Sequence, residues 1–151
     1  MNIDSIVKEA KDIISNHKSR TDTLQQIADL LNSRVPEFDW TGFYLASETE
    51  ERMLELGPYV GEATDHTRIP YGKGICGQVA ESHDTFIVQD VSKADNYLAC
   101  SLDVQSEIVV PIMKDGRFVA QLDIDSHTKN AISREHEKLC TAICNELSVI
   151  F

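Results

Sequence analysis

The sequence predicts an α+β domain: an antiparallel sheet, helices from both ends of the chain packed on one face, and a ligand pocket on the other. Three observations point there. Apolar residues recur at helical spacing near both ends, short apolar runs of strand length fill the middle, and one pair of runs flanks the turn sequence Lys114-Asp115-Gly116. Helical elements outside a run of consecutive strands is the pattern of a layered α+β domain.

At the start, Ile3, Ile6, Val7, Ala10, Ile13 and Ile14 share one helical face. The polar stretch Ser15 to Thr21 breaks that helix. A second is expected from Asp22, whose side chain can cap it with Gln25 as the reciprocal partner, and it ends at Pro36. Leu24, Ile27, Ala28 and Leu31 form its apolar stripe. Strands are expected at Trp40 to Leu45, Arg52 to Leu56, Thr85 to Val88, Glu107 to Met113 and Arg117 to Asp125. A short helix is expected from Gly74 to about Ser82. The last helix carries Ile132, His136, Leu139, Cys140, Ile143, Cys144, Leu147 and Phe151 on one face. With no repeat, low-complexity tract or linker, the 151 residues read as one domain.

Composition narrows the function. A 42% hydrophobic chain can fill a core. Its net charge of -11 is spread along the sequence, and its few basic residues are scattered. Nucleic acid and anionic membrane both need clustered Lys and Arg, so neither is an expected partner. The beginning, Met1-Asn2-Ile3-Asp4-Ser5, is neither a basic nor an apolar targeting segment, and no apolar run approaches the ~20 residues of a membrane span. Four cysteines without a CxxC spacing suggest reduced thiols in a cytoplasmic protein rather than a disulfide scaffold.

The hairpin from Glu107 to Asp125 decides where three acids point. A tight turn on Asp115-Gly116 alone sets Ile108 opposite Asp123 and Val110 opposite Gln121, pairing apolar residues with polar ones. Including Lys114 in the turn, with Gly116 in a left-handed bulge, pairs Ile108 with Leu122, Val110 with Ala120 and Ile112 with Phe118. A one-residue slip flips every side chain, so the apolar match favours the second register. Glu107, Asp123 and Asp125 then share the opposite face with Met113, Val119 and Gln121, and Trp40 and Tyr44 share a face across Gly42. That acidic face is either solvated or a binding site, because crowded carboxylates are costly unless they hold a cation or share protons.

Several segments resemble the free methionine-(R)-sulfoxide reductases, single-domain proteins of the GAF fold. They are Trp40-Thr41-Gly42-Phe43-Tyr44, Leu56-Gly57-Pro58-Tyr59, Gly72-Lys73-Gly74-Ile75-Cys76-Gly77, Leu98-Ala99-Cys100, Ser106 to Pro111 and Leu122 to Ser126. The resemblance runs from Trp40 to the end of the chain, in order and spacing. It implies a homodimer with no metal or organic cofactor, reduced by thioredoxin. It also implies roles: Cys100 as nucleophile, Cys76 as a second pocket cysteine, Glu107, Asp123 and Asp125 as acids that hold the substrate and assist the sulfoxide, and Trp40 and Tyr44 as aromatic walls. Two departures stand out. His66 takes the place of a further family cysteine, and the surroundings of the nucleophile read Tyr97-Leu98-Ala99-Cys100-Ser101.

Sulfoxide reduction needs a soft nucleophile at sulfur and a proton for the departing oxygen, which a thiolate and an acid of raised pKa provide. Crowding of the three acids is expected to raise at least one of them. Cys76 follows a glycine loop at a helix start, a position that favours the thiolate. A sulfenic acid on Cys100 would pass to a Cys76–Cys100 disulfide, reopened by thiol exchange. The acids suit an ammonium and Trp40 the methyl-sulfur end, a combination that favours the free amino acid over a peptide-bound residue. His66 is open between a neutral hydrogen-bonding residue, a proton donor and a partner of Cys100. A second function stays in view: a GAF sensory module that binds a small amino-acid-like ligand without turning it over. Gly72, Gly74 and Gly77 spell a dinucleotide fingerprint, but with Pro70 ahead and no βαβ unit they read as a turn. Cys140 and Cys144 read as core, and His136 beside Cys140 lacks the further ligands a zinc site needs.

Overall fold

The computed structural model describes residues 1–94 and 103–151. The chain runs α1 (Ile3–Ser15), α2 (Arg20–Arg34), β1 (Trp40–Ala46), β2 (Met53–Val60), β3 (Arg68–Pro70), α3 (Gly74–Ser82), β4 (Phe86–Val88), β5 (Ser106–Lys114), β6 (Arg117–Ser126) and α4 (Arg134–Leu147). Among the described residues, six strands form one sheet in the order β3-β2-β1-β6-β5-β4, with every neighbouring pair antiparallel. The expected α+β class and antiparallel sheet are present.

The helix ends follow local chemistry. Asn2 caps α1 by accepting from the Ser5 N–H at 3.0 Å. The second helix starts two residues before its expected first residue: Ser19 is its cap and accepts from the Asp22 N–H at 3.1 Å. Asp22 therefore lies in the first turn, where its charge suits the helix dipole. Val35 ends α2 in an extended conformation, as a residue before proline must. Strand β2 runs on to Val60, four residues beyond expectation, and β3 is an additional strand with a single buried apolar residue, Ile69.

The hairpin register differs from the expected one. Asp115 and Gly116 alone make the turn, with φ of 51° and 77°, the two positive angles that a type I′ hairpin turn requires. Lys114 pairs with Arg117 and Met113 with Phe118, and then the register shifts to Ile112 with Ala120, Val110 with Leu122 and Ile108 with Ile124. Val119 is the extra residue of a bulge in β6. A tight turn and a one-residue bulge together restore apolar pairing, so the faces beyond the bulge agree with the expected ones although the partners are displaced by two. Val119, expected on the acidic face, packs instead against the helical layer, and Phe118 packs on the acidic side.

The two faces of the sheet carry separate cores. On one, α1, α2 and α4 bury Ile6, Leu24, Ile27, Leu31, Leu139 and Ile143 against Phe43, Ile108, Val110, Leu122 and Ile124. On the other, α3 crosses the sheet. Its flanking strands β3 and β4 are the two edge strands, so the connecting helix has to span the face between them. There Ile75, Cys76, Val79 and Ala80 pack with Trp40, Tyr44, Leu54, Ile69 and Val109. Among the described residues no helix is long and apolar enough to cross a membrane.

Candidate active site beneath α3

Strand pairing builds the polar side of this second core. Trp40 pairs with Asp125, Gly42 with Asp123 and Tyr44 with Gln121 across β1 and β6, while Glu107 pairs with Asp125 across β5 and β6. Directly paired residues share a face. The three expected acids therefore lie together, beside Trp40 and Tyr44. They are not solvated: Glu107 is 3% exposed and Asp123 and Asp125 are 0% exposed. Helix α3 covers them, so this face is not solvated.

Helix α3 also delivers a thiol. Cys76 stands in its first turn, 6% exposed, and its sulfur donates to Asp123 Oδ2 at 3.3 Å. The thiol sulfur and carboxylate oxygens of Cys76, Glu107 and Asp123 all lie within 4.8 Å of one another. Burial pushes the Asp123 carboxyl above its ordinary range, and hydrogen bonds from Glu107 and Cys76 pull the other way. A raised acid is thus present, but its cause is desolvation rather than the expected crowding. Among the described residues, Asp123 Oδ1 and both amide atoms of Gln121 are buried and find no hydrogen-bond partner. Polar atoms left so in a core typically cost about 1–3 kcal/mol each, a burden that native proteins carry where a ligand or chemistry requires it.

The aromatic wall is held by close packing. Trp40 donates its ring N–H to the Glu62 carbonyl at 2.9 Å and stacks on Tyr59 at 5.3 Å and on Tyr44 at 6.5 Å between centroids. Its ring covers Gly42, where a Cβ would come within 2.5 Å of Trp40 Cη2. The Tyr44 hydroxyl donates to the backbone carbonyl of His66 at 2.8 Å. His66, Ile69, Lys73, Gly74, Ile75, Cys76 and Glu107 line a narrow cavity of about 240 Å³ between atoms. Only about 10 Å³ of it is open to the centre of a water, room for roughly one molecule. The sequence singled out His66, Cys76 and Glu107 but gave no sign that Lys73 and Ile69 share this cavity. A larger hollow, about 880 Å³ between atoms, lies open on the outer side of α4, and none of its lining residues is a cysteine.

Cys100 lies outside the described residues. Among the other expected positions, the glycine loop does not form a phosphate cradle. The short strand β3 precedes it, but in an antiparallel pair, and the Gly72 N–H donates to the Gly77 carbonyl at 2.8 Å. Gly77 is required by packing, since a Cβ there would sit 2.7 Å from the Pro70 carbonyl oxygen. His136 closes a capping box with Ser133 at the start of α4, and burial holds the Cys140 and Cys144 thiols well above their usual range.

Residues 17–151 match the GAF domain family. An Escherichia coli free methionine-R-sulfoxide reductase is 34% identical over 116 residues, covering 77% of this chain and 68% of that protein. The chain belongs to the free methionine-R-sulfoxide reductase family of GAF domains. The Bacillus subtilis protein YtsP is 38% identical over 133 residues, covering 86% of this chain and 80% of the relative. A crystal structure of the Neisseria meningitidis free methionine-R-sulfoxide reductase in complex with its substrate superimposes with a TM-score of 0.93 at 30% identity, covering 99% of this chain and 87% of that one. The GAF fold is thus established, with α1, α2 and α4 on one face of the sheet and the acids buried under α3 on the other.

Proposed function

We propose that this protein, a single GAF domain over residues 1–151, reduces free L-methionine-(R)-sulfoxide to methionine. The observation that carries the reading is the Cys76 sulfur 3.3 Å from the buried carboxylate of Asp123, with Glu107 within 4.8 Å of both. Its family relatives include reductases of this substrate.

In the proposed cycle the Cys100 thiolate attacks the sulfoxide sulfur. The S–O bond breaks as the oxygen passes to Cys100, releasing methionine and leaving a sulfenic acid. The Cys76 thiol then attacks that sulfenic sulfur, expelling water and forming the Cys76–Cys100 disulfide. Thioredoxin reopens it, taking the disulfide itself. Asp123, kept in its protonated form to higher pH by burial, supports the acid step, and Glu107 and Asp125 are the other groups assigned to proton transfer. Once ionised, Asp123 can take the Cys76 proton. The same acids face the substrate ammonium, and Trp40 and Tyr44 face the methyl-sulfur end, with His66 as a further wall. The cavity admits about one water, so an amino acid enters only as its walls part. The proposal includes a homodimer in the cytoplasm, where thioredoxin keeps thiols reduced, and no metal or organic cofactor in the catalytic cycle.

The test is a coupled assay with thioredoxin, its reductase, NADPH and free methionine-(R)-sulfoxide. Consumption of NADPH that disappears in Cys100→Ser and in Cys76→Ser is the expected result. Ligand binding without NADPH consumption in the wild type would instead establish a sensory GAF module.

A further inference from the structure

We propose that Gln121 distinguishes the sulfoxide substrate from its methionine product, its side-chain amide donating to the sulfoxide oxygen of the bound ligand. The assignment rests on the reductase reading for the identity of that ligand, and it adds a residue that no step of the proposed cycle uses.

The strand pairings that gather the acids form successive rows across β1, β6 and β5. Asp125 stands in the first, between Trp40 and Glu107; Asp123 stands in the second; Gln121 stands in the third, between Tyr44 and Pro111. Paired residues share a face, as do residues two apart on one strand, so all three rows lie on the side that α3 covers. Gln121 is 0% exposed, and among the described residues neither Nε2 nor Oε1 has a hydrogen-bond partner. Within its row the Tyr44 hydroxyl gives its proton to the His66 carbonyl at 2.8 Å, and Pro111 is apolar. An apolar side chain of the same length would fill the place without leaving a donor and an acceptor dry. A buried amide kept there points to a ligand that supplies the missing partner.

The chemistry selects the end of the ligand that meets it. Rows two residues apart along β6 are roughly 7 Å apart. Five bonds separate the ammonium nitrogen of methionine sulfoxide from its sulfoxide oxygen, about 6 Å in extended form. A ligand laid along β6 with its ammonium between the first two rows therefore brings that oxygen between Asp123 and Gln121. Tyr44 and Val109, which pairs with Asp123, give the methyl group apolar surroundings there, whereas a charged carboxylate would be left desolvated. A sulfoxide oxygen accepts well from an amide N–H, but a thioether sulfur accepts only weakly. Once the oxygen has gone, Nε2 is unpaired again, so the site favours substrate over product. Asp123 keeps its part in the acid step, and no bond made or broken in the cycle changes.

The experiment measures that preference by calorimetric titration of the reduced full-length protein carrying Cys100→Ser, so that bound sulfoxide is not consumed. The probes are free methionine-(R)-sulfoxide and methionine. The sulfoxide should bind at least about tenfold more tightly, and adding Gln121→Met should lower that ratio about tenfold while methionine affinity stays within about twofold. Gln121→Met keeps the length of the side chain, circular dichroism confirms its fold, and Gln121→Leu should give the same ratio. An unchanged ratio, equal weakening of both ligands, or a protein that binds neither ligand overturns the assignment. The coupled assay on the wild type separates the two readings. Turnover combined with an unchanged ratio in the variants refutes the role of Gln121 alone. No turnover, with the ratio lost in the variants, refutes the reductase and leaves Gln121 as the oxygen-reading residue of a binding module.

Discussion

Strands β5 and β6 bury both of their faces, and the two faces are chemically opposite. Towards α1, α2 and α4 they present Ile108, Val110, Ile112, Ala120, Leu122 and Ile124. Towards α3 the same strands present Glu107, Gln121, Asp123 and Asp125, all buried as well. Apolar burial stabilises at roughly 25 cal/mol per Å², whereas buried polar atoms without partners oppose folding. The helical layer therefore has the surplus stability that lets the other face hold Asp123 and Gln121 with buried atoms unsatisfied. Substitutions on the two faces should consequently differ in sign for stability and in consequence for activity.

The largest stability effect belongs to the helical layer. Phe43, 0% exposed and paired with Leu122, should lose about 3–5 kcal/mol on substitution by alanine. Urea denaturation would measure it, and a loss below about 1 kcal/mol would break the assignment of stability to this face. Next comes Gly42→Ala, where the new Cβ meets Trp40 Cη2 at 2.5 Å and Tyr59 Cβ at 2.6 Å. Overpacking should cost about 1–3 kcal/mol. Because Trp40 is the sole tryptophan, its displacement should register as a fluorescence shift. Under the proposed function the sulfoxide KM should rise about tenfold, one lost hydrophobic contact being worth roughly 1–3 kcal/mol.

Asp123→Asn should act in the other direction on stability. The folded-state pKa of Asp123 is raised by burial, so the folded protein holds a proton that the unfolded chain has already released. Stability from this group therefore declines as pH rises from about 4, the unfolded value, through the raised folded one. Asparagine carries no such charge. At neutral pH the variant should therefore be more stable than the wild type, and the decline in stability as pH rises above about 4 should flatten. Melting curves at several pH values would show both. An equal slope in wild type and variant would mean that Asp123 is not the titrating group.

How much of this was legible in the sequence depends on which quantity parity protects. Beyond the bulge the hairpin faces agree with the expected ones although every expected partner is displaced, because a bulge at Val119 and a turn shorter by one residue change the register by two positions in all. Nothing in Phe118-Val119-Ala120 marks a bulge, so those two side chains were placed on the wrong sides. Strand β3 was unreadable because three residues with one buried apolar side chain carry no periodicity. The acids of one hairpin could be gathered from pairing alone. The contact between Cys76 and Asp123 spans 47 positions and depends on α3 crossing the sheet, a consequence of strand order that local patterns do not encode. Desolvation of Asp123 followed from the same crossing, which is why crowding was the expected cause.

The smallest effect compares cysteines across the two faces. Cys140, 0% exposed in the helical layer, has its thiol pushed far up by burial, and Cys144 beside it is raised for the same reason. Alkylation requires the thiolate and access, so neither should react with iodoacetamide at pH 8 while the protein stays folded. Cys140→Ala removes a single small apolar group and should lower stability by about 1 kcal/mol. Turnover should be unchanged, since this thiol lies on the face away from the acids. Cys76→Ser should do the reverse: stability within about 0.5 kcal/mol of wild type, and no sustained NADPH consumption. Peptide mapping after alkylation and the coupled assay on both variants would check this pair. Equal loss of turnover in both would break the division of labour between the faces, because a thiol buried behind the sheet would then be contributing to chemistry in front of it.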